Sequence, residues 1–158
     1  MEQNKQALLK KMKWQTFLLG RFKIPMLGFT GLKLIDIDDV NSIVKIKLKR
    51  RTKNHLNSMY FGALAVGADV AGGVHAFYFA QKHNKKVSFA FKGMNCEFIK
   101  RAESDCTFIS KDGKKVEDAI LTSIKTGDRV NETTHVDVFD DEKELVATFE
   151  MIVSVKCK

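Results

Sequence analysis

The sequence lacks the features that mark several classes of protein. It has 158 residues with one proline and three cysteines, and no stretch rich in serine, glycine or proline separates two domains. An odd number of scattered cysteines argues against a disulfide framework, and no close Cys/His pairs indicate a zinc site. We therefore predict a single domain over residues 1–158, with no metal site and no cofactor.

The beginning of the chain also lacks the pattern of a secretory signal. The residues MEQNKQALLKKMKW contain neither an uninterrupted apolar core nor a small-residue cleavage site. Together with the scattered cysteines, this absence predicts a cytoplasmic protein.

Acidic residues are fewer than basic ones. The chain has 27 Lys and Arg against 19 Asp and Glu, a net charge of +8. Basic clusters at 47–53, 82–86, 99–102 and 110–115 indicate either a solvated surface or attraction for a phosphorylated ligand such as coenzyme A. There is no aromatic ribonucleoprotein motif, zinc-finger spacing or basic heptad repeat, so no nucleic-acid partner is predicted.

The residue patterns predict an α+β protein. Residues 5–22 are typical of a basic amphipathic helix, which either packs over the domain, as we favour, or lies on a membrane surface. Residues 114–125 fit a helix or a strand, and their apolar spacing favours the helix. Period-two alternation predicts a hairpin and further antiparallel strands: 34–38, 43–49, 87–98, 106–110, 135–139 and 145–155.

A long central helix is predicted over about residues 59–81, with Ser58 as a plausible N-cap. It is apolar nearly all the way round and rich in Gly and Ala, and it is almost long enough to span a bilayer. However, Asp69 at its centre would be costly in lipid, and the half-polar strands would then have no core. We therefore predict a buried helix and no integral membrane association.

The order of elements and the segment NHLNSMYFGALAVGAD resemble the hotdog-fold acyl-CoA thioesterases, in particular their phenylacetyl-CoA thioesterase-like branch. That branch carries an Asn, then His-Gly-Gly, then an apolar run that ends in Leu-Ala-Asp. Asn54 and Asp69 stand at the family's spacing, and Gly62 matches the second glycine, whereas Tyr60 and Phe61 replace the His and the first glycine. The resemblance implies an antiparallel sheet wrapped around the central helix, with an extra N-terminal helix.

The resemblance also implies hydrolysis of the thioester of an acyl-coenzyme A. In this assignment Asp69 is the base or nucleophile, Asn54 is a supporting polar group, and the backbone N–H groups of Phe61 and Gly62 stabilise the oxyanion. It implies a homodimer or a dimer of dimers, in which Asp69 and the oxyanion donors come from different subunits. Three flanking residues are predicted to contact the substrate: His55, Ser58 and Tyr60.

Two other functions stay open. A non-catalytic hotdog domain could bind acyl-CoA or fatty acid, or act as a dimeric scaffold, and Tyr60 and Phe61 favour this alternative. A dehydratase of the same fold would pair a histidine with a helix carboxylate, and His55 lies fourteen residues before Asp69. The proline-containing dehydratase motif is absent, and we predict that His55 and His75 are both structural or peripheral.

Overall fold

Six antiparallel strands form one sheet around a long helix. The computed structural model describes the backbone of residues 2–158 and the side chains of residues 5–158. The strand order across the sheet is β1-β2-β4-β5-β6-β3, so β1 and β3 are its edges. The strands are β1 (Lys33–Ile37), β2 (Ser42–Ile46), β3 (Val87–Phe98), β4 (Cys106–Ser110), β5 (Val130–Phe139) and β6 (Leu145–Cys157).

Alternating burial explains why these segments are strands. In β2, Ser42, Val44 and Ile46 are buried and the intervening residues are half-buried, and β2 pairs with β1 as the predicted hairpin. β5 begins five residues earlier than the predicted start at residue 135. The reason is its pairing with β6 along its whole length, which polar residues such as Asn131 and Glu132 do not signal.

The N-terminal region differs from the predicted single helix over 5–22. Helix α1 (Glu2–Leu18) runs into a short π-helical segment (Leu19–Lys23), and a second helix, α2 (Pro25–Thr30), follows. Pro25 occupies the first turn of α2, where its missing N–H costs nothing, so this proline begins a helix as well as ending one. The expected helix at 114–125 is confirmed as α4 (Gly113–Thr126).

The central helix, α3, spans Phe61–Lys82 and so begins two residues later than predicted. The chain is still extended at Tyr60, which is the N-cap (φ −63°, ψ 136°) and donates its N–H to the carbonyl of Thr52 at 2.8 Å. The prediction that Ser58 caps the helix is wrong, since no side chain caps α3 and Ser58 is buried in the preceding loop.

The small residues of α3 allow the sheet to approach its backbone. A Cβ atom on Gly67 would lie 2.3 Å from the buried ring of Phe108, and one on Gly72 would lie 3.2 Å from Met151 and Thr134. Among the described residues, α3 is the one helix long and apolar enough to cross a bilayer, yet 78% of its most apolar window is buried inside the domain. The predicted arrangement, an antiparallel sheet wrapped around a buried helix, is confirmed.

Candidate active site

Asp69 lines a cleft between α3 and the N-terminal helices. The cleft has a volume of about 430 Å³ and mainly apolar walls. Its residues come from the N-terminal segment (Met12, Gln15, Thr16, Leu19, Ile24 and Leu27), from α3 (Asp69, Val70, Gly73, Val74, Phe77 and Gln81) and from β3 (Phe89).

The Asp69 carboxylate is half-buried and has no hydrogen-bond or salt-bridge partner within the described part of the chain. Burial alone therefore acts on it and raises the pKa of the Asp69 carboxyl above its ordinary value. A carboxylate held in this way binds a proton more readily than a solvated one. It is suited to accept a proton from water or to attack a carbonyl carbon.

The cleft-facing side of α3 carries Asp69, Gly73, Phe77 and Gln81, which recur every four residues and so share one face of the helix. A Cβ atom on Gly73 would lie 2.6 Å from the ring of Phe89, so this glycine allows the ring to form part of the wall. The Gln81 side chain donates to the Gln15 side chain at 2.7 Å and joins α3 to α1.

The backbone N–H groups of Phe61 and Gly62 occupy the first two positions of α3 and have no acceptor among the described residues. They lie at the positive end of the helix dipole, where an oxyanion would be stabilised. The Tyr60 ring lies against Gly62, since a Cβ there would be 2.5 Å from that ring, and it is 4.6 Å from the Phe61 ring. Tyr60 and Phe61 are both exposed.

The Asn54 side chain organises the loop before α3. Its Oδ1 accepts hydrogen bonds from the Leu56 N–H at 2.9 Å and from the Ser58 N–H and hydroxyl at 3.2 Å each. Asn54 and Ser58 are thus brought together, while His55 on the same loop is exposed. This network fixes the turn that delivers the chain to the start of α3.

One chain does not bring the predicted base and oxyanion donors together. Asp69 follows Phe61 by eight residues of continuous helix, which separates them by about 12 Å along the axis. A thioester carbonyl is about 1.2 Å long and cannot reach both at once. Asn54, Ser58, Tyr60, Phe61 and Gly62 therefore cluster at one end of α3, and Asp69 lies two turns away beside the N-terminal helices.

Sequence reasoning missed the N-terminal wall of the cleft. Met12 and Leu19 are seven residues apart in a helical region, and this spacing could have marked an inward face. It could not indicate which part of the domain that face covers.

His75 does not line the cleft that contains Asp69. His75 is buried, and its Nε2 donates to the Asp38 carbonyl at 2.9 Å, so the expected structural role is confirmed. Among the described residues, no three His, Cys, Asp or Glu side chains come together as metal ligands.

The fold and cleft define a hotdog domain in which the Asp69 carboxylate lies in an apolar wall with no partner among residues 5–158. Residues 14–155 match the model of the family described as "Domain of unknown function (DUF4442)", and the chain belongs to this family. No protein of curated function matches the sequence.

Several solved structures share the fold at low sequence identity. A Shewanella oneidensis protein provisionally named a thioesterase has a TM-score of 0.80 and 17% identity over 96% of this chain and 99% of its own. The Chlorobaculum tepidum protein OLEI01261, of unknown function, has a TM-score of 0.82 and 14% identity over 96% and 98%. Thioesterase HI1161 from Haemophilus influenzae has a TM-score of 0.64 and 12% identity over 82% and 81%. These likenesses establish the hotdog fold.

Proposed function

We propose that the protein hydrolyses the thioester of an acyl-coenzyme A, with Asp69 as base or nucleophile. The observation that carries this proposal is the half-buried Asp69 carboxylate, which has no partner in the described chain and lines an apolar cleft with room for an acyl chain. A structural carboxylate would be expected to have hydrogen bonds or a cation to offset its desolvation. The cost of leaving Asp69 without them is consistent with a role in chemistry.

The basic loop before α3 supports coenzyme A as the thiol carrier. Five exposed cations precede the start of the helix and form no ion pair among the described residues: Lys47, Lys49, Arg50, Arg51 and Lys53. They lie on the same connection that delivers the Phe61 and Gly62 N–H groups. In the proposal these cations attract the nucleotide phosphates, and the acyl group enters the apolar cleft.

The proposed enzyme is a dimer, because the base and the donors are too far apart in one chain. Strand β3 is a twelve-residue edge strand that pairs with β6 and leaves its other side open. Long open edges favour pairing with another chain. In the proposal a second copy pairs along β3, and its α3 start supplies the oxyanion donors that face Asp69 of the first copy.

The first test measures hydrolysis of a panel of short, long and aromatic acyl-CoAs. The rate is monitored through the free thiol that hydrolysis releases. We expect Asp69→Asn to reduce turnover by about a hundredfold or more, the usual scale for an acid–base group. Asp118→Asn makes the same chemical change at an exposed position of α4 and serves as the matched control. Hydrolysis by Asp69→Asn at the wild-type rate would contradict the assigned role.

The oxyanion donor can be removed without disturbing the helix. Proline is compatible with the first helical position, and the extended Tyr60 before it suits a following proline. Phe61→Pro therefore deletes one N–H, and we expect it to reduce kcat by about 10²–10³. Phe61→Ala keeps the N–H and loses only the ring, so it is the control.

Mixing these two inactive variants tests the shared site. In a mixed dimer of Asp69→Asn and Phe61→Pro, one of the two sites would combine an intact Asp69 with an intact Phe61 N–H. Recovery of activity on mixing is expected if the site spans two subunits. Failure to recover, with each variant still dimeric and exchanging subunits, would place the donors and the base on one chain.

The position of the Tyr60 ring against Gly62 favours a second candidate, a domain that binds acyl-CoA without hydrolysing it. Saturable acyl-CoA binding in calorimetry, together with no thiol release by the wild-type protein, would identify this function instead.

A further inference from the structure

The outer surface of the N-terminal helices has an unusual combination of exposed aromatic rings and positive charge. We call this surface the N-terminal aromatic face and define it by its exposed side chains: Trp14, Phe17, Phe22, Met26 and Phe29. Trp14 is 60% exposed, Phe22 68% and Phe29 54%, and the rings of Trp14 and Phe17 stack at 5.6 Å. Exposure of this many large apolar side chains within sixteen residues is typical of an interaction surface.

Residues 3–35 contain seven Lys and Arg and no Asp or Glu, so this stretch accounts for seven of the eight net positive charges of the protein. Lys10, Lys11, Lys13, Arg21 and Lys23 are exposed and lie between or beside the aromatic residues. The Arg21 guanidinium lies 5.4 Å from the centre of the Phe22 ring. The face therefore presents cations and apolar side chains to the same partner.

The opposite side of this segment is a wall of the domain. Met12 and Leu27 are buried, and both line the cleft that contains Asp69. Packing of the inner side thus accounts for the position of the helices, but it does not account for the exposure of the outer rings, of which Phe29 lies 5.8 Å from the Arg51 guanidinium.

We propose that the N-terminal aromatic face docks the protein on the surface of an anionic lipid bilayer. Aromatic and aliphatic side chains that flank lysines and arginines match the interfacial region of such a bilayer, where apolar groups insert and cations meet lipid phosphates. Trp14 suits the headgroup level because its ring is apolar and its N–H is polar.

Charge argues against a second copy of the chain as the occupant. Two such faces would bring the same five cations of each copy against one another, Lys10, Lys11, Lys13, Arg21 and Lys23, with no acidic residue between positions 3 and 35 of either copy. Nucleic acid would match the charge, but it would leave the exposed aliphatic side chains of Ile24 and Met26 without an apolar environment.

Docking would place the cleft close to the source of acyl chains, since its N-terminal wall would lie at the bilayer surface. This consequence rests on the proposed function, whereas docking itself requires no chemistry. Asp69→Asn should therefore bind vesicles as the wild type does, so the two proposals can fail separately.

The experiment is vesicle binding of the full chain without substrate. Vesicles of phosphatidylcholine alone are compared with vesicles that contain about 30% phosphatidylglycerol, a composition that attracts basic surfaces. Trp14 is the only tryptophan, so its emission reports directly on this face. We expect co-sedimentation with the anionic vesicles, a blue shift of Trp14 emission, and weakening by salt.

Two pairs of variants locate the contact. Lys10→Glu with Lys13→Glu should weaken binding by about tenfold or more, whereas Lys111→Glu with Lys125→Glu makes the same charge change at exposed positions elsewhere. Phe22→Ser with Met26→Ser should abolish the blue shift, whereas Leu121→Ser, on the exposed side of α4, should leave it intact.

Several results would overturn the proposal. These are no binding to anionic vesicles, equal weakening by the two charge-reversal pairs, or binding without any shift of Trp14 emission. A dimer that dissociates in Phe22→Ser with Met26→Ser would assign the face to a second copy. Binding of an oligonucleotide, but not of vesicles, with the same dependence on Lys10 and Lys13 would assign it to nucleic acid.

Discussion

Two aspartates, one in the middle of α3 and one beside its C-terminal end, have opposite surroundings. Near the C-terminal end of α3, Asp39 accepts a hydrogen bond from the Tyr78 hydroxyl at 2.8 Å and one from the Lys82 ammonium at 2.7 Å. These partners hold the pKa of the Asp39 carboxyl below its ordinary value. In the middle of the helix, Asp69 has no such partner in the described chain, and burial raises its pKa.

The same contrast extends to neighbouring groups. At the C-terminal end, His83 and Lys114 contact Glu117 at 3.2 and 2.9 Å, and the pKa of Glu117 is lowered. At Asp69, the surrounding cleft wall is apolar except for Thr16 and the paired glutamines. We infer that the C-terminal part of α3 stabilises the fold, whereas its middle keeps the carboxylate of the proposed catalytic residue, Asp69, at a cost in stability.

Replacement of Asp69 or Asp39 by asparagine should change turnover and stability the most. The two variants should also separate activity from stability. Asp69→Asn removes a charge that the folded state disfavours, so the free energy of unfolding at pH 7 should rise while turnover falls by about a hundredfold. Asp39→Asn removes a stabilised charge, so stability should fall modestly while turnover is kept. Urea unfolding and thiol release measure the two quantities. Loss of stability in Asp69→Asn would mean that Asp69 has a structural partner.

The two regions can also be compared by adding a methyl group at one glycine in each, Gly113 and Gly73. Gly113, at the start of α4, lies against the backbone of the β1–β2 turn, where an added Cβ would be 2.5 Å from the Asp39 carbonyl oxygen. That oxygen cannot rotate away, so Gly113→Ala should cost about 1–3 kcal/mol of stability.

Gly73→Ala is the matched substitution in the cleft. Its Cβ would meet the edge of the Phe89 ring, which is only partly buried and can turn. We expect a smaller loss of stability and a shift of the acyl-CoA panel towards shorter chains, because the displaced ring narrows the cleft. An unchanged chain-length profile in the folded variant would remove Phe89 from the acyl site.

Removal of the hydrogen bond between Tyr78 and Asp39 should have a smaller effect on stability. Tyr78→Phe keeps the buried ring and deletes one hydroxyl that donates to a carboxylate. We expect a loss of about 1 kcal/mol in the free energy of unfolding and no change in turnover. A loss of turnover comparable to that of Asp69→Asn would mean that the C-terminal end of α3 is coupled to Asp69 in the middle of the helix.

The pH dependence has the opposite sign for the two aspartates. Because the folded-state pKa of Asp69 is raised, its contribution to stability is full below the ordinary value of 3.8 and is lost as the pH rises through the raised pKa. The stability advantage of Asp69→Asn should therefore grow over that rise in pH, in parallel with the turnover of the wild type.

Because the pKa of Asp39 is lowered, its contribution to stability is present above 3.8 and disappears as the pH falls through the lowered pKa. Denaturation curves at several pH values, measured for wild type and both variants, test these signs.

Local patterns predicted much of this molecule. Alternation located β3 with its observed bounds and most of β6, but it extended β2 three residues too far, to residue 49. The apolar, Gly-rich run around Asp69 predicted a buried helix because strands with one polar face need an element to cover. The patterns were least accurate where a long-range contact sets the structure. β5 extends to Val130 because β6 pairs with it, and α3 begins at Phe61 because Thr52 holds Tyr60 in an extended conformation.

The sequence by itself determined that a single carboxylate lies in the middle of a helix with no polar neighbours along the chain. Only the tertiary structure decided that no distant residue among those described pairs with it, and that α1 and α2 cover it to form a cleft. The physical reason is the separation along the chain over which each property is determined. Periodicity records which side of an element is apolar, whereas desolvation, pairing and cavity shape depend on residues that folding brings from far along the chain.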